Sequence, residues 1–483
     1  MNFPPIEFNA LAPTIVLSVS ALVILMFGLF DATRGRGFLT AVATIAVALA
    51  ALASIVASSP VVWNSFGIPA AGASSGMLVN DGFALYAGLT ILVATGATVL
   101  ISGRYLAAEP TYSGEYLALL LFAAAGMSLV VAAADLIILL LGIEILSIAL
   151  YVLSGFSRSR ETSQESALKY FLLGAFSLSF MIYGAALLFG AAQSTRLSTI
   201  ATVIAANARP NLTENMLVLG GVGLILVGFA FKLSFAPFHM WTPDTYQGAP
   251  TPITGFMSVA TKAAVFVALL RFLVFAVPAL RAEWSIAVAV LIILTLLVGN
   301  TAAIAQARVK RLLAYSSIAQ AGYIGIGILA GTAAGGAILF YLLAYTLANL
   351  GAFAGLSALG DGDSDPSVED LKGLGARSPL LAGAIAIFML GLAGIPLTAG
   401  FMGKLFVFIA GIQEGYVDLV ILAVITSVAA TFYYLRVVIA MYFQPVSASP
   451  IRVEMNGATI AVLAVLAIGT VVLGILPAGA LVG

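Results

Sequence analysis

The sequence predicts an all-α protein that crosses a membrane about fourteen times, as one membrane domain over residues 1–483. Two features predict this. Hydrophobic residues make up 62% of the chain and charged residues only 8%, against about 25% charged in a typical soluble domain. So few charges cannot cover a water-facing surface of this size, and lipid must be the main solvent. The apolar residues also come in long unbroken runs, near the ~20 residues a spanning helix needs. The alternating strand pattern of a membrane barrel is absent.

Taken in order, the runs lie near 11–30, 38–58, 82–102, 115–133, 135–154, 167–192, 215–238, 253–278, 283–305, 310–330, 334–360, 379–412, 415–443 and 457–481. The stretch before the first carries Glu7 and no Lys or Arg. A secretory signal begins with positive charge, so the first run reads as a retained span. The longest linkers are 59–81, 193–214 and 361–378, the last acidic (Asp361, Asp363, Asp365, Glu369, Asp370). None has room for a soluble domain.

Loop charge orients the chain. Arg34, Arg36, Arg104, Arg158, Arg160, Arg308, Lys310, Arg311, Lys372, Arg377 and Arg452 follow odd-numbered runs, and only Arg196, Arg209 and Arg281 follow even-numbered ones. The positive-inside rule places the richer side in the cytoplasm. Both termini then face a periplasm-like side. Six cations fall within predicted spans: Lys169, Lys232, Lys262, Arg271, Lys404 and Arg436.

Two spans are broken. The seventh contains Pro237 and the twelfth contains Pro396, and the twelfth is too long for one crossing. Proline removes a backbone donor and clashes with the preceding turn. Five spans separate the breaks, and five is odd, so the second unit would be inverted relative to the first. Spans four to eight (115–278) and nine to thirteen (283–443) are candidate inverted repeats, flanked by three N-terminal spans (1–114) and a final one (444–483). Broken helices in matching places of two inverted halves point to an ion or substrate path between them.

Composition narrows the chemistry. Twenty basic and twenty acidic residues cancel, so nothing favours nucleic acid. No cysteine is present and His239 is the one histidine. Thiolate-held iron–sulfur clusters, c-type haem attachment and histidine-rich metal sites are excluded, and no redox cofactor is expected on this chain.

The remaining candidates are buried ionisable groups. Glu144 lies about nine residues into the fifth run, near mid-membrane at about 1.5 Å per residue. Lys262 is similarly deep in the eighth run. Lys232 just precedes the first break and Lys404 just follows the second. A lysine at a helix centre costs roughly 2.5–3.5 kcal/mol on insertion scales, so pairing or water must offset it. A static Glu144–Lys232 pair would do so without function. Four such groups beside two breaks favour proton transfer, which lysine performs more readily than arginine. Burial favours neutral lysine and a nearby carboxylate favours charged lysine, so Lys232 would switch as Glu144 moves.

Lys169 is read equally as a snorkelling side chain or a relay member. His239 titrates near neutral pH and would link the lysines to the cytoplasmic side; a helix-end hydrogen bond is the plainer reading. Asp135 reads as a helix cap, Asp244 as part of a rigid turn, and Arg271 and Arg436 as anchors or partners of loops.

The stretch Phe231-Lys232-Leu-Ser-Phe-Ala-Pro237-Phe-His239-Met-Trp241-Thr-Pro243-Asp244-Thr-Tyr246-Gln-Gly248-Ala-Pro250-Thr-Pro252 resembles a signature of the antiporter-like membrane subunits of respiratory complex I. The segments Ala167–Gly174, Ala314–Gly322, Asp370–Leu374 and Gly394–Lys404 extend the resemblance over nearly the whole chain. Of the three bacterial branches, M has glutamate where this chain has Lys404, and L has a long C-terminal lateral helix lacking here. The third branch, with lysines matching Lys262 and Lys404, is the most similar.

The resemblance implies fourteen helices with inverted five-helix repeats and a proton-translocating role in the bacterial inner membrane. It implies that Glu144 and Lys232 form a coupling ion pair, that Lys262 is a central relay, that Lys404 is terminal and that Lys169 is supporting. It places NADH, FMN, iron–sulfur clusters and quinone in partner subunits. The implied partners are other complex I subunits, especially neighbouring subunit M and the small membrane subunits, together with the bilayer.

Three rivals share parts of this pattern. One is a subunit of a multi-subunit sodium/proton antiporter. Another is a solute transporter, which needs a polar pocket; few polar side chains are expected beside the central ionisable groups. The last is a structural subunit with inert charges.

Overall fold

The computed structural model describes residues 8–30, 36–58, 76–108, 113–206, 212–360, 363–447 and 450–477. Glu7, Arg34, Arg209, Asp361 and most of the 59–81 linker lie outside them. The main helices are α1 (Phe8–Phe30), α2 (Arg36–Ala57), α3 (Gly82–Ile101), α4 (Ser113–Ala132), α5 (Leu136–Ser154), α6 (Glu161–Ala192), α7 (Leu212–Leu233), the short α8 (Trp241–Gly248), α9 (Thr251–Arg271), α10 (Arg281–Ile304), α11 (Val309–Ala330), α12 (Gly335–Ser357), α13 (Pro379–Ala393), α14 (Ala399–Gln413), α15 (Val417–Phe443) and α16 (Gly457–Ile475). Among the described residues only isolated bridges occur in place of strands.

Twelve of these helical stretches are long and apolar enough to cross a membrane, and one of them, Val309–Ser357, holds α11 and α12 in tandem. The chain is a multi-pass membrane protein. The seventh run is interrupted between α7 and α8, and the twelfth between α13 and α14. α6 begins at Glu161, earlier than the apolar pattern indicates, because its polar first turns continue the helix. The 193–214 linker contains a further helix, Leu197–Ala206. Its ten residues reach only about 15 Å, too short to cross.

Every residue of α9 is buried. It packs against α3, α4 and α12, which puts Lys262 on the most enclosed helix of the bundle. α1, α2, α6 and α15 instead present apolar side chains outward, among them Phe27, Leu52, Phe176 and Val428. Such a surface suits hydrocarbon, since lipid imposes no penalty on exposed apolar groups.

The charged loops collect at two ends. At one, Arg104 donates to the Ser357 and Gly360 carbonyls and pairs with Glu454. Arg308 and Arg377 reach the carbonyls of Asp365 and Ile451 there. At the other, Arg271 grips Asp81 through two hydrogen bonds of 2.8 and 2.5 Å and donates to the Val131 carbonyl. Asp135 caps α5 by accepting from the Ile137 N–H at 2.8 Å.

Candidate functional site

Both breaks end in the same backbone motif. At the end of α7, Ser234 N–H bonds to the Phe231 carbonyl and Phe235 N–H to the Ala230 carbonyl. At the end of α13, Gly394 N–H bonds to the Gly391 carbonyl and Ile395 N–H to the Leu390 carbonyl. These paired closures are a Schellman motif, with the first residue of each pair left-handed. Ser234 has φ 62° and Gly394 has φ 79°. Pro237 and Pro396 follow within a few residues and are exposed, where they prevent the helix from continuing.

Lys232 occupies the last turn of α7, 3% exposed. Its ammonium donates to Ser147 Oγ on α5 at 2.6 Å and lies 3.4 Å from the Tyr151 hydroxyl. Ser147 gives its own proton to the Ile143 carbonyl, which leaves a lone pair for the lysine. The ammonium also faces the Tyr151 ring at 5.3 Å, a favourable cation–π distance. Gly174 on α6 makes room for this tyrosine: a Cβ there would sit 2.0 Å from its hydroxyl oxygen.

The expected Glu144–Lys232 ion pair is not formed among the described residues. Glu144 lies one turn before Ser147 and is half-buried, beside the exposed Leu141, Ile145 and Ile148. Residues three apart share a helix side, so Glu144 stands on the side of α5 that carries Ser147, but at its edge next to the lipid-facing Leu141 and Ile148 and without contact to Lys232.

Lys262 is 1% exposed. It donates to Ser317 Oγ on α11, which also accepts from the Tyr345 hydroxyl at 2.8 Å. Lys404, on α14 and 5% exposed, reaches back across the second break. It donates to the Ala393 carbonyl at 2.9 Å, the Leu392 carbonyl at 3.3 Å and Ser427 Oγ at 2.8 Å. The Tyr323 ring lies 4.8 Å away. The negative end of the α13 dipole thus meets an ammonium. Gly394 admits this approach, since a Cβ there would lie 3.1 Å from the lysine nitrogen.

Two hydrogen-bonded sets of polar groups lie between Lys262 and Lys404, one at Ser317 and one at the neighbouring Ser316. Beside Ser317, Ser316 Oγ hydrogen-bonds the Tyr434 hydroxyl at 2.5 Å. Gln320 Nε2 donates to Tyr434 at 3.2 Å and to the Leu392 carbonyl at 2.8 Å, and that carbonyl also accepts from Lys404. Near Lys232 the neighbours are instead aromatic, with Tyr170 stacked on Trp241 at 4.4 Å. The expectation that few polar side chains accompany the central charges is therefore corrected. Buried ammonium groups without carboxylates need oxygen acceptors, and serine, tyrosine and helix-end carbonyls supply them.

Lys169 lies away from this centre, 40% exposed, paired with Glu165 at 2.5 Å and Asp244 at 2.7 Å. Asp244 also binds Arg311 at 2.7 Å, which ties α6, α8 and α11 together. His239 lies in the first break, half-buried, and its Nδ1 has no hydrogen-bond partner. Arg436 donates to the Ile304 and Gln306 carbonyls as an anchor.

Three buried charges escaped the sequence reading, Asp81, Asp363 and Lys310. Asp81 is the partner of Arg271. Asp363, inside the acidic linker, accepts from Arg160, Ser157 and the Thr251 N–H and lies 3.6 Å from the wholly buried Lys310. All three were assigned to loops, and loop residues give no periodic sign of burial. Among the described residues no group of three or more His, Cys, Asp or Glu is placed to hold a metal.

Residues 133–430 match the family described as NADH:quinone oxidoreductase/Mrp antiporter, transmembrane. The chain belongs to that family. It is 43% identical to NADH-quinone oxidoreductase subunit N of Trichlorobacter lovleyi, over 98% of this chain and 96% of the relative. A chain of respiratory complex I from Thermus thermophilus superposes with a TM-score of 0.80 at 35% identity, covering 97% of this chain and 98% of that one. A chain of the Mrp complex from Dietzia has the same fold, with a TM-score of 0.82 at 21% identity over 98% of this chain and 95% of its own. The family thus includes both complex I subunits and antiporter subunits, and the near-full-length identity lies on the complex I side.

Proposed function

We propose that the chain is a proton-translocating subunit in the membrane arm of a bacterial NADH:quinone oxidoreductase. NADH oxidation and quinone reduction belong to partner subunits in this reading, and the chain contributes no redox centre. Its neighbours are a second antiporter-like subunit, M, and small membrane subunits. With α11 and α12 counted separately and α13–α14 as one broken crossing, the spans number fourteen; an even number supports both termini on one side, and the loop charges favour the periplasmic one. Spans four to eight and nine to thirteen serve as inverted halves.

The observation that carries the reading is the line of three buried lysines, each held by neutral oxygens. An ammonium without a carboxylate partner has less to lose on releasing its proton. Between Lys262 and Lys404 lie Ser317, Ser316 and Tyr434, whose hydroxyls can both take and give a proton, while Gln320 holds Tyr434 and the helix end in place. Glu144 acts as the switch: its approach to Lys232 favours the ammonium and its retreat favours release. Moving one charge against 100 mV requires about 2.3 kcal/mol. A two-unit change in proton affinity corresponds to about 2.7 kcal/mol, so rearranging one pair is sufficient in size. Lys169 and His239 support proton entry.

The test begins with native electrophoresis of mildly solubilised membranes, stained for NADH oxidation and probed for this chain. Co-migration with a large NADH-oxidising band is expected. In that complex, Glu144→Gln is expected to slow proton pumping and quinone reduction together. Migration in a smaller assembly with sodium-dependent exchange would move the reading to an antiporter subunit.

A further inference from the structure

A helix end leaves its last four carbonyls without intrahelical donors. At the end of α13, backbone N–H groups close Leu390 and Gly391. The Leu392 and Ala393 carbonyls depend on side chains, and both residues are almost wholly buried. Lys404 donates to both. Leu392 has a second donor, the Gln320 amide at 2.8 Å. The Tyr341 hydroxyl donates to Gln320 Oε1 at 2.6 Å, which fixes the amide with its nitrogen toward the helix end.

Resting on the proton-translocating reading above, we propose that Gln320 is a positioning residue that holds the Leu392 carbonyl in place of Lys404 while that lysine gives up its charge. The bond between Gln320 and Leu392 does not require Lys404 to be protonated. When the lysine releases its proton or swings toward Ser427, the Leu392 carbonyl keeps a donor and the broken helix keeps its end. The neutral amine keeps two N–H donors for three acceptors, so without Gln320 the most distant of them, the Leu392 carbonyl at 3.3 Å, is left without a donor, which resists the release. Gln320 thereby acts on the proton through the helix end rather than by carrying it. Its placement suits this role: it sits one turn beyond Ser316 and Ser317 on α11, on the side that reaches across to α13.

The test uses the assembled complex and a double-mutant cycle of Gln320→Met and Lys404→Met. Gln320→Met alone is expected to lower pumping-coupled turnover per assembled complex about 10-fold, the size of one lost hydrogen bond to a buried group, with the KM for quinone unchanged. It is expected to shift the melting temperature little on its own and clearly more in the Lys404→Met background, where Leu392 loses its last side-chain donor. Equal shifts in the two backgrounds, or full turnover in Gln320→Met, would overturn the proposal. Lys404→Met alone reports on the parent reading. If it abolishes pumping while Gln320→Met keeps full turnover, the relay stands and the positioning role falls.

Discussion

At the first break the lysine sits on the helix before the gap, in the last turn of α7, and reaches sideways to a serine on α5. At the second break it sits on the helix after the gap and reaches back to the carbonyl end of α13. The backbone closes in the same way in both. The difference lies in what answers the charge. Lys232 has one close acceptor, a hydroxyl, with a second at 3.4 Å. Lys404 has three oxygens and a helix dipole. Lys404 is therefore the better-solvated ammonium and suits a site where a proton rests, whereas Lys232 is held loosely enough for a nearby carboxylate to decide its charge.

Removing the lysines tests this contrast most strongly. Lys232→Ala and Lys404→Ala are each expected to abolish pumping in an assembled complex, measured in vesicles by a pH-sensitive dye. Lys404→Arg is expected to keep assembly and lose pumping, because arginine holds its proton at all working pH values. Pumping by either alanine variant would end the relay reading for that residue.

Exchanging the left-handed residues comes next. Gly394→Ser is expected to destabilise the complex by about 1–3 kcal/mol, since a side chain there is strained and crowds Lys404. Ser234→Gly relieves the same backbone strain but loses the 2.7 Å bond to Thr242, so a change within about 1 kcal/mol is expected. Melting temperatures of the two variants decide it, and equal losses would show that the breaks are not alike in backbone.

The hydroxyl acceptors give the finest comparison. Ser147→Ala removes the main acceptor of Lys232 and is expected to slow turnover about 10-fold, near the lower end for a bond to a charged group. Ser427→Ala leaves Lys404 two carbonyls and is expected to slow turnover only about 2-fold. The reverse order would mean that Lys404 is the loosely held charge. Asp244→Asn, at the partly exposed Lys169 cluster, is expected to have the least effect, within the ~0–1 kcal/mol of surface ion pairs.

The membrane class, the two breaks and the three lysines were legible in the sequence because each violates a composition rule that lipid enforces: long apolar runs, proline inside them, and charge at depth. The acceptors were not. Thr95, Thr98, Ser128 and Thr346 bond to carbonyls one turn back on their own helices, and Ser147 does the same while it also serves Lys232. Nothing in the local pattern separates the two kinds of hydroxyl. Only the reach of Lys232 from α7 to α5, the packing of α9 on α11 and that of α14 back on α13 select Ser147, Ser317 and the Leu392 and Ala393 carbonyls as partners, because a hydrogen bond acts over about 3 Å and sequence spacing carries no such distance. Tertiary structure likewise left Glu144 half-buried at the edge of the bundle, unpaired with Lys232, and buried Asp363, whose place in a loop gave no sign of it.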